Sequence, residues 1–109
     1  MSAEIADWLN DFATHAAMPA VELVGIRPTG RAVIEADVDS VATYAEQVIQ
    51  DWPNAKLLAH GDVWTHKGVE YDAVVVDARG MDPGEVYLAA SRAAHELVVC
   101  GLSWRQSTT

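Results

Sequence analysis

The chain has 109 residues, of which 50% are apolar and 21% charged, the composition of one soluble globular domain. Sixteen acidic residues against seven Lys and Arg give a net charge of −9, which disfavours a free-standing nucleic-acid binder because such proteins neutralise phosphates with basic side chains. No apolar run approaches the roughly 20 residues that span a bilayer and the N-terminus is acidic, so we expect a cytoplasmic protein without a membrane partner.

The first segment predicts an amphipathic helix. Apolar residues recur from Ile5 to Ala16 at the three- and four-residue spacing that places them on one face. Ser2 stands at the N-cap position, where its side chain would accept a hydrogen bond from a free backbone N–H of the first turn. Pro19 marks the end of the predicted helix.

Two short apolar runs follow, residues 21–26 and 32–38, on either side of a turn that contains Pro and Gly. This pattern favours two strands, with a hairpin as one way of joining them. A second amphipathic helix then begins at Asp39 or Ser40 as N-cap and ends before Pro53.

The second half of the chain predicts a strand, a helix and a strand. Residues 73–76 are a continuous apolar run that ends in three β-branched valines, typical of a parallel strand covered on both faces. Asp82 reads as an N-cap and Glu85 as its capping-box partner, so we expect a helix from there to about His95. Residues 97–100 predict a last buried strand.

Two stretches carry a family resemblance. Lys67-Gly68-Val69-Glu70-Tyr71-Asp72 and the strand after it resemble motif V of the UvrD/Rep/PcrA-like superfamily 1 DNA helicases, which reads roughly K-G-L-E-F-D. Tyr87-Leu88-Ala89-Ala90-Ser91-Arg92-Ala93, again with a strand after it, is similar to motif VI, roughly Y-V-A-L-T-R-A. The two occur in the family's order, and the resemblance is strongest in residues 60–101.

The resemblance implies a fold as well as an ancestry. Residues 1–109 would form a single domain like the C-terminal, second RecA-like domain of such a helicase. We therefore expect an α/β fold with a RecA-like sheet, at least partly parallel, flanked by about three helices. The segment that normally precedes motif V, including the motif IV arginine, has no counterpart here, so the domain is shortened relative to the full helicase domain.

The resemblance also implies a set of site residues. Arg92 corresponds to the arginine finger, whose planar, permanently charged guanidinium suits the charge that develops in phosphoryl transfer. Glu70 corresponds to the acceptor for a ribose hydroxyl, and Gly68 lets backbone approach a ligand. We expect Lys67 to be a general anion contact or an exposed charge rather than a catalytic base, and Ser91 keeps the hydroxyl of the family's Thr. We expect Lys67, Gly68, Glu70 and Ser91 to bind the nucleotide. Arg92 is expected to act in catalysis.

The other half of an ATP site is missing from this sequence. The chain has no G-x-x-x-x-G-K-[ST] segment to cradle phosphates and help hold Mg²⁺. ATP and Mg²⁺ would therefore bind only when a first RecA-like domain is supplied in cis or in trans, and the chain alone would be inactive. DNA contact is expected only within the complete motor, since Thr65-His66 abuts Lys67 out of register with the family's DNA-contacting Thr-x-His.

Two other classes of function fit part of the sequence. The first is a helicase-derived regulatory module without catalysis, whose acidic surface binds a protein partner. The second is a small metal-dependent hydrolase, because one segment contains the ligand types His60, Asp62, His66, Glu70 and Asp72. Their spacing is not that of a fixed helical metal motif, so we expect no metal site.

Overall fold

The computed structural model describes residues 1–18, 23, 25, 28–62 and 69–102. These residues contain three α-helices, four β-strands and one short 3-10 helix. In chain order they are α1 (Ala3–His15), β1 (Ile34–Ala36), the 3-10 helix (Val38–Ser40), α2 (Val41–Asp51), β2 (Ala55–Leu58), β3 (Tyr71–Asp77), α3 (Pro83–Ala90) and β4 (Ala93–Cys100). None of the described helices is both long and apolar enough to cross a bilayer.

The four strands form one parallel sheet in the order β1-β4-β3-β2. The last strand in sequence lies inside the sheet, where Val98 is paired with Ile34 of β1 and with Val75 of β3. The α/β class and the parallel sheet are thus confirmed, in a form consistent with a shortened RecA-like fold. The hairpin is not formed by β1, which pairs in parallel with β4, and most of residues 21–26 lie outside the described part of the chain.

Helices cover both faces of the sheet, which explains why its central strands are apolar throughout. α1 and α3 pack on one face, and α2 packs on the other. In α1 the large side chains that are fully buried are Ile5, Leu9 and Phe12, on the stripe that the sequence predicts. Each such side chain stabilises the fold by roughly 1.5–3 kcal/mol relative to remaining exposed.

The N-terminal ends of the helices follow local sequence rules. Ser2 accepts a hydrogen bond from Ile5 N at 3.2 Å, and Asp82 accepts one from Glu85 N at 2.8 Å, so both predicted N-caps are confirmed. Ser40 occupies the N-cap position of α2 without a side-chain hydrogen bond. The reciprocal half of the capping box at α3 is replaced, because the Glu85 carboxylate contacts a different loop.

The predicted end of the third helix is wrong. α3 ends at Ala90 and β4 already begins at Ala93, so His95 lies in a strand. The local sequence is compatible with a helix, but pairing with β3 satisfies the backbone and buries the alanines, and tertiary contacts override helix propensity. The pairing shifts register between Tyr71 and Ala73, which marks a bulge opposite Asp72.

The bulge turns two consecutive β4 side chains toward the end of α2. The His95 ring stacks on Trp52 with centroids 5.5 Å apart, and the Glu96 carboxylate accepts a hydrogen bond from Trp52 Nε1. Arg31 lies over the same indole at 5.1 Å and pairs with Glu96 at 3.4 Å. These contacts pack the C-terminal end of α2 against β4.

Candidate functional site

The sequence-predicted residues Glu70 and Arg92 lie at one end of the sheet. Glu70 immediately precedes β3, and Arg92 immediately precedes β4. These strands are parallel neighbours, so their first residues share an edge, which we call the amino edge. Tyr71 N donates a hydrogen bond to Arg92 O at 2.8 Å, and this bond joins directly the two segments that resemble helicase motifs V and VI.

Arg92 occupies the two-residue turn between α3 and β4. Its backbone N–H donates to Ala89 O at 3.2 Å, which holds the turn against the end of the helix. The side chain is half-buried, and its Nε is buried without a hydrogen-bond partner among the described residues. A buried donor left unpaired costs about 1–3 kcal/mol, and an acceptor from outside could reach this Nε only after the side chain moved.

The remaining nucleotide-site candidates divide into three cases. Glu70 is exposed and available to a ligand. Ser91 ends α3, since its hydroxyl donates to Leu88 O at 2.7 Å. Lys67 and Gly68 lie outside the described residues. Of the predicted set, the structure therefore brings together Glu70, Ser91 and Arg92, and gives Ser91 a local structural bond.

The segment considered as a metal site is divided by the fold. His60 and Asp62 follow the end of β2, whereas Glu70 and Asp72 lie at the start of β3. Because β2 and β3 are parallel, these pairs are at opposite ends of the sheet, a strand length of roughly 20 Å apart. His66 is not described, and the described residues contain no group of three or more His, Cys, Asp or Glu that could hold a metal ion.

A second polar region, which the sequence did not predict, lies at the carboxyl ends of the strands. A cavity of about 570 Å³ opens between the start of the 3-10 helix, the turn after β3 and Gly101. We call it the carboxyl-edge crevice, and its lining residues include Asp37, Val38, Asp39, Arg79, Met81 and Gly101. Residues from three separate strand ends form it, so no sequence motif could have revealed it.

Arg79, which lines this crevice, forms an ion pair with the last residue of β3. Asp77, the buried last residue of β3, accepts hydrogen bonds from Arg79 Nε at 2.9 Å and from Arg79 Nη2 at 2.5 Å. These bonds hold the pKa of Asp77 below its ordinary value, and the Asp77 carboxylate in turn raises the pKa of Arg79. Nearby, burial raises the pKa of the Cys100 thiol, and the charges of Asp77 and Asp37 raise it further.

Beside the crevice, a buried carboxylate anchors the loop after β2. Glu85 is 4% exposed and accepts hydrogen bonds from His60 Nδ1 and from Gly61 N, both at 2.7 Å. The His60 ring lies against Gly80 in the turn after β3. A Glu at the third position of α3 signals a capping box, and only the three-dimensional placement of the loop shows its actual partners.

Comparison with models of protein families finds none that matches this chain. A search of curated proteins likewise finds no similar sequence.

Proposed function

We propose that this chain acts as the C-terminal RecA-like part of a UvrD-type ATP-dependent DNA helicase, inactive by itself. In this role it supplies Arg92 and Glu70 to an ATP site that a separate first RecA-like domain completes. A helicase motor places its nucleotide between two such domains, so each contributes half of the binding groups.

The observation that carries the proposal is the hydrogen bond from Tyr71 N to Arg92 O. Because of it, a carboxylate suited to a ribose hydroxyl and a guanidinium suited to a phosphate begin adjacent strands on one edge.

The chemistry of each residue follows from its side chain. ATP, bound with Mg²⁺ in the complete motor, supplies the phosphoryl group that is transferred to water. Arg92 would stabilise negative charge on that group as it develops, and Glu70 would orient the nucleotide by accepting a hydrogen bond. In this proposal the partner domain activates the attacking water.

The test is a pull-down from lysate of the source organism, with and without MgADP and aluminium fluoride. We expect recovery of a protein containing G-x-x-x-x-G-K-[ST], dependent on the transition-state analogue. Arg92→Ala should abolish the analogue-dependent recovery, and Arg31→Ala, at the same end of the sheet, should not. With the recovered partner, Arg92→Ala should lower ATPase turnover by roughly 10³-fold or more.

Two results would contradict the proposal. One is ATPase activity of the purified chain alone at a rate well above buffer. The other is recovery of the Walker-type partner to the same extent by Arg92→Ala and wild-type chains.

The net charge of −9 favours a second candidate, the non-catalytic acidic interaction module. In that case the pull-down recovers an unrelated partner with a basic surface, independently of nucleotide. Binding would then weaken as salt is raised, and it would be insensitive to substitution of Arg92.

A further inference from the structure

The carboxyl-edge crevice lies where the chain connections diverge. β1 continues into α2 on one face of the sheet, whereas β3 continues into α3 on the opposite face. β4 lies between these two strands and ends at the crevice. In open parallel sheets, ligands bind outside the carboxyl ends of the strands at such a switch point.

The crevice has the size and the walls of a small-molecule site. Its volume of about 570 Å³ falls within the range of roughly 300–1,000 Å³ that is typical of ligand pockets. Val38 and Met81 supply apolar surface, while Gly80 and Gly101 adopt left-handed φ angles of 77° and 85°. A side chain is disfavoured at these φ angles, so the rim stays open.

Arg79 presents a fixed guanidinium to the crevice. Asp77 occupies its Nε–H and one N–H of Nη2, and it also accepts a hydrogen bond from Arg79 N at 3.2 Å. Arginine carries five side-chain N–H groups, so three remain, and two of them, one from Nη1 and one from Nη2, form the outer edge of the guanidinium. That edge can donate two parallel hydrogen bonds to a ligand carboxylate.

Two carboxylates line the crevice on the side of β1. Asp37 and Asp39 are both exposed, and within the described residues neither carboxylate is held by a hydrogen bond or an ion pair. Their charges reach the crevice, because Asp39 contributes to the raised pKa of Arg79 and Asp37 to that of Cys100. The crevice therefore has a cationic group on one wall and anionic groups on another.

We propose that the carboxyl-edge crevice binds a small zwitterion of the amino-acid class. The ligand ammonium contacts Asp37 and Asp39, its carboxylate contacts the outer edge of Arg79, and its apolar side chain packs on Val38 and Met81. This site lies at the opposite end of the sheet from Glu70 and Arg92. The proposal is therefore independent of the proposed helicase function.

The charge pattern selects this class over its nearest rivals. A polyanion such as a nucleotide phosphate meets Asp37 and Asp39 against the single Arg79, whose charge is already paired with Asp77, and the like charges repel it. A simple amine leaves the outer edge of Arg79 unmatched. Only a ligand with both charges uses both walls.

The test is an NMR titration of the ¹⁵N-labelled chain with three matched probes. L-leucine carries both charges, isoamylamine lacks the carboxylate, and 4-methylpentanoate lacks the amine. We expect saturable shifts of the Gly80 and Gly101 amides with L-leucine below roughly 10 mM, with a Kd near the millimolar range. Each truncated probe should bind at least tenfold more weakly.

Two variants separate the walls. Arg79→Lys keeps a cation beside Asp77 but removes the outer N–H edge, so L-leucine should bind it no better than isoamylamine does. The double variant Asp37→Asn with Asp39→Asn should bind L-leucine no better than 4-methylpentanoate. Arg31→Lys, at the other end of the sheet, is the control and should leave the Kd for L-leucine unchanged.

The proposal is overturned if L-leucine gives no saturable shift of the crevice amides in the wild-type chain at roughly 10 mM. It is also overturned if either truncated probe binds as well as L-leucine, or if Arg79→Lys and Arg31→Lys bind it equally. Arg79→Lys and Arg31→Lys retain the positive charge and leave Asp77 a cationic partner, so we expect both variants to fold. The amide spectrum of each variant verifies this.

Discussion

Replacing Glu85 with Gln measures how strongly the buried carboxylate anchors the loop after β2. Hydrogen bonds to a charged group contribute about 1.5–3 kcal/mol each, but the bond from His60 is worth less because the imidazole is 62% exposed. The bond from Gly61 N is the stronger one, because its acceptor is only 4% exposed. The Gln side chain keeps one uncharged acceptor for Gly61 N but loses the favourable pairing with His60. We therefore expect the free energy of unfolding to fall by about 1.5 kcal/mol.

The assay is thermal and urea unfolding followed by circular dichroism. For a domain of this size, a loss of about 1.5 kcal/mol lowers the Tm by about 6–12 °C. Glu46→Gln, at an exposed position on α2, is the matched control and should stay within about 0.5 kcal/mol of wild type. The reasoning is refuted if Glu85→Gln and Glu46→Gln unfold at the same temperature, because the buried carboxylate would then anchor nothing.

Three further substitutions test other parts of the fold. Asp82→Ala removes the N-cap of α3 and should lower the free energy of unfolding by about 1 kcal/mol in urea titration. Gly25→Ala should destabilise the chain by about 1–3 kcal/mol in the same assay, because the added Cβ would overlap the Ala3 backbone. An unfolding midpoint in urea equal to that of wild type would contradict the close packing of Gly25 on Ala3. The pKa of Asp77 is depressed by Arg79, so its contribution to stability is fully present above its ordinary value of 3.8 and is lost as pH falls through the lower folded value. Asp77→Asn should therefore be less stable than wild type at pH 7, and the difference should shrink below pH 3.8, whereas a constant difference would show that the ion pair contributes nothing.

Local signals in the sequence determine the parts of the fold that were predicted correctly. Ser2 and Asp82 cap helices through bonds to residues three positions away, so the sequence alone contains both partners. The apolar run from 73 to 76 likewise identifies β3, because a strand buried on both faces needs apolar side chains at every position.

Non-local pairing explains what the sequence could not predict. The segment after Arg92 is compatible with a helix, and it becomes a strand because a parallel neighbour, β3, pairs with it. For the same reason the partners of Glu85 were missed, since His60 is 25 residues away and meets it only once β2 lies beside β3. The juxtaposition of Glu70 and Arg92 could be predicted, because any two residues that precede adjacent parallel strands share an edge.

The strand order has a consequence for how the chain is made on the ribosome. Within the described residues β1 has β4 as its one neighbour in the sheet, and β4 comes last of the four described strands in the order of synthesis. Pairing of β1 must therefore wait until β4 has left the exit tunnel, while β2 and β3 can already associate. Until then the backbone groups of β1 have no ladder partner, so the N-terminal half of a nascent chain is a natural client for chaperones that shield unpaired strands.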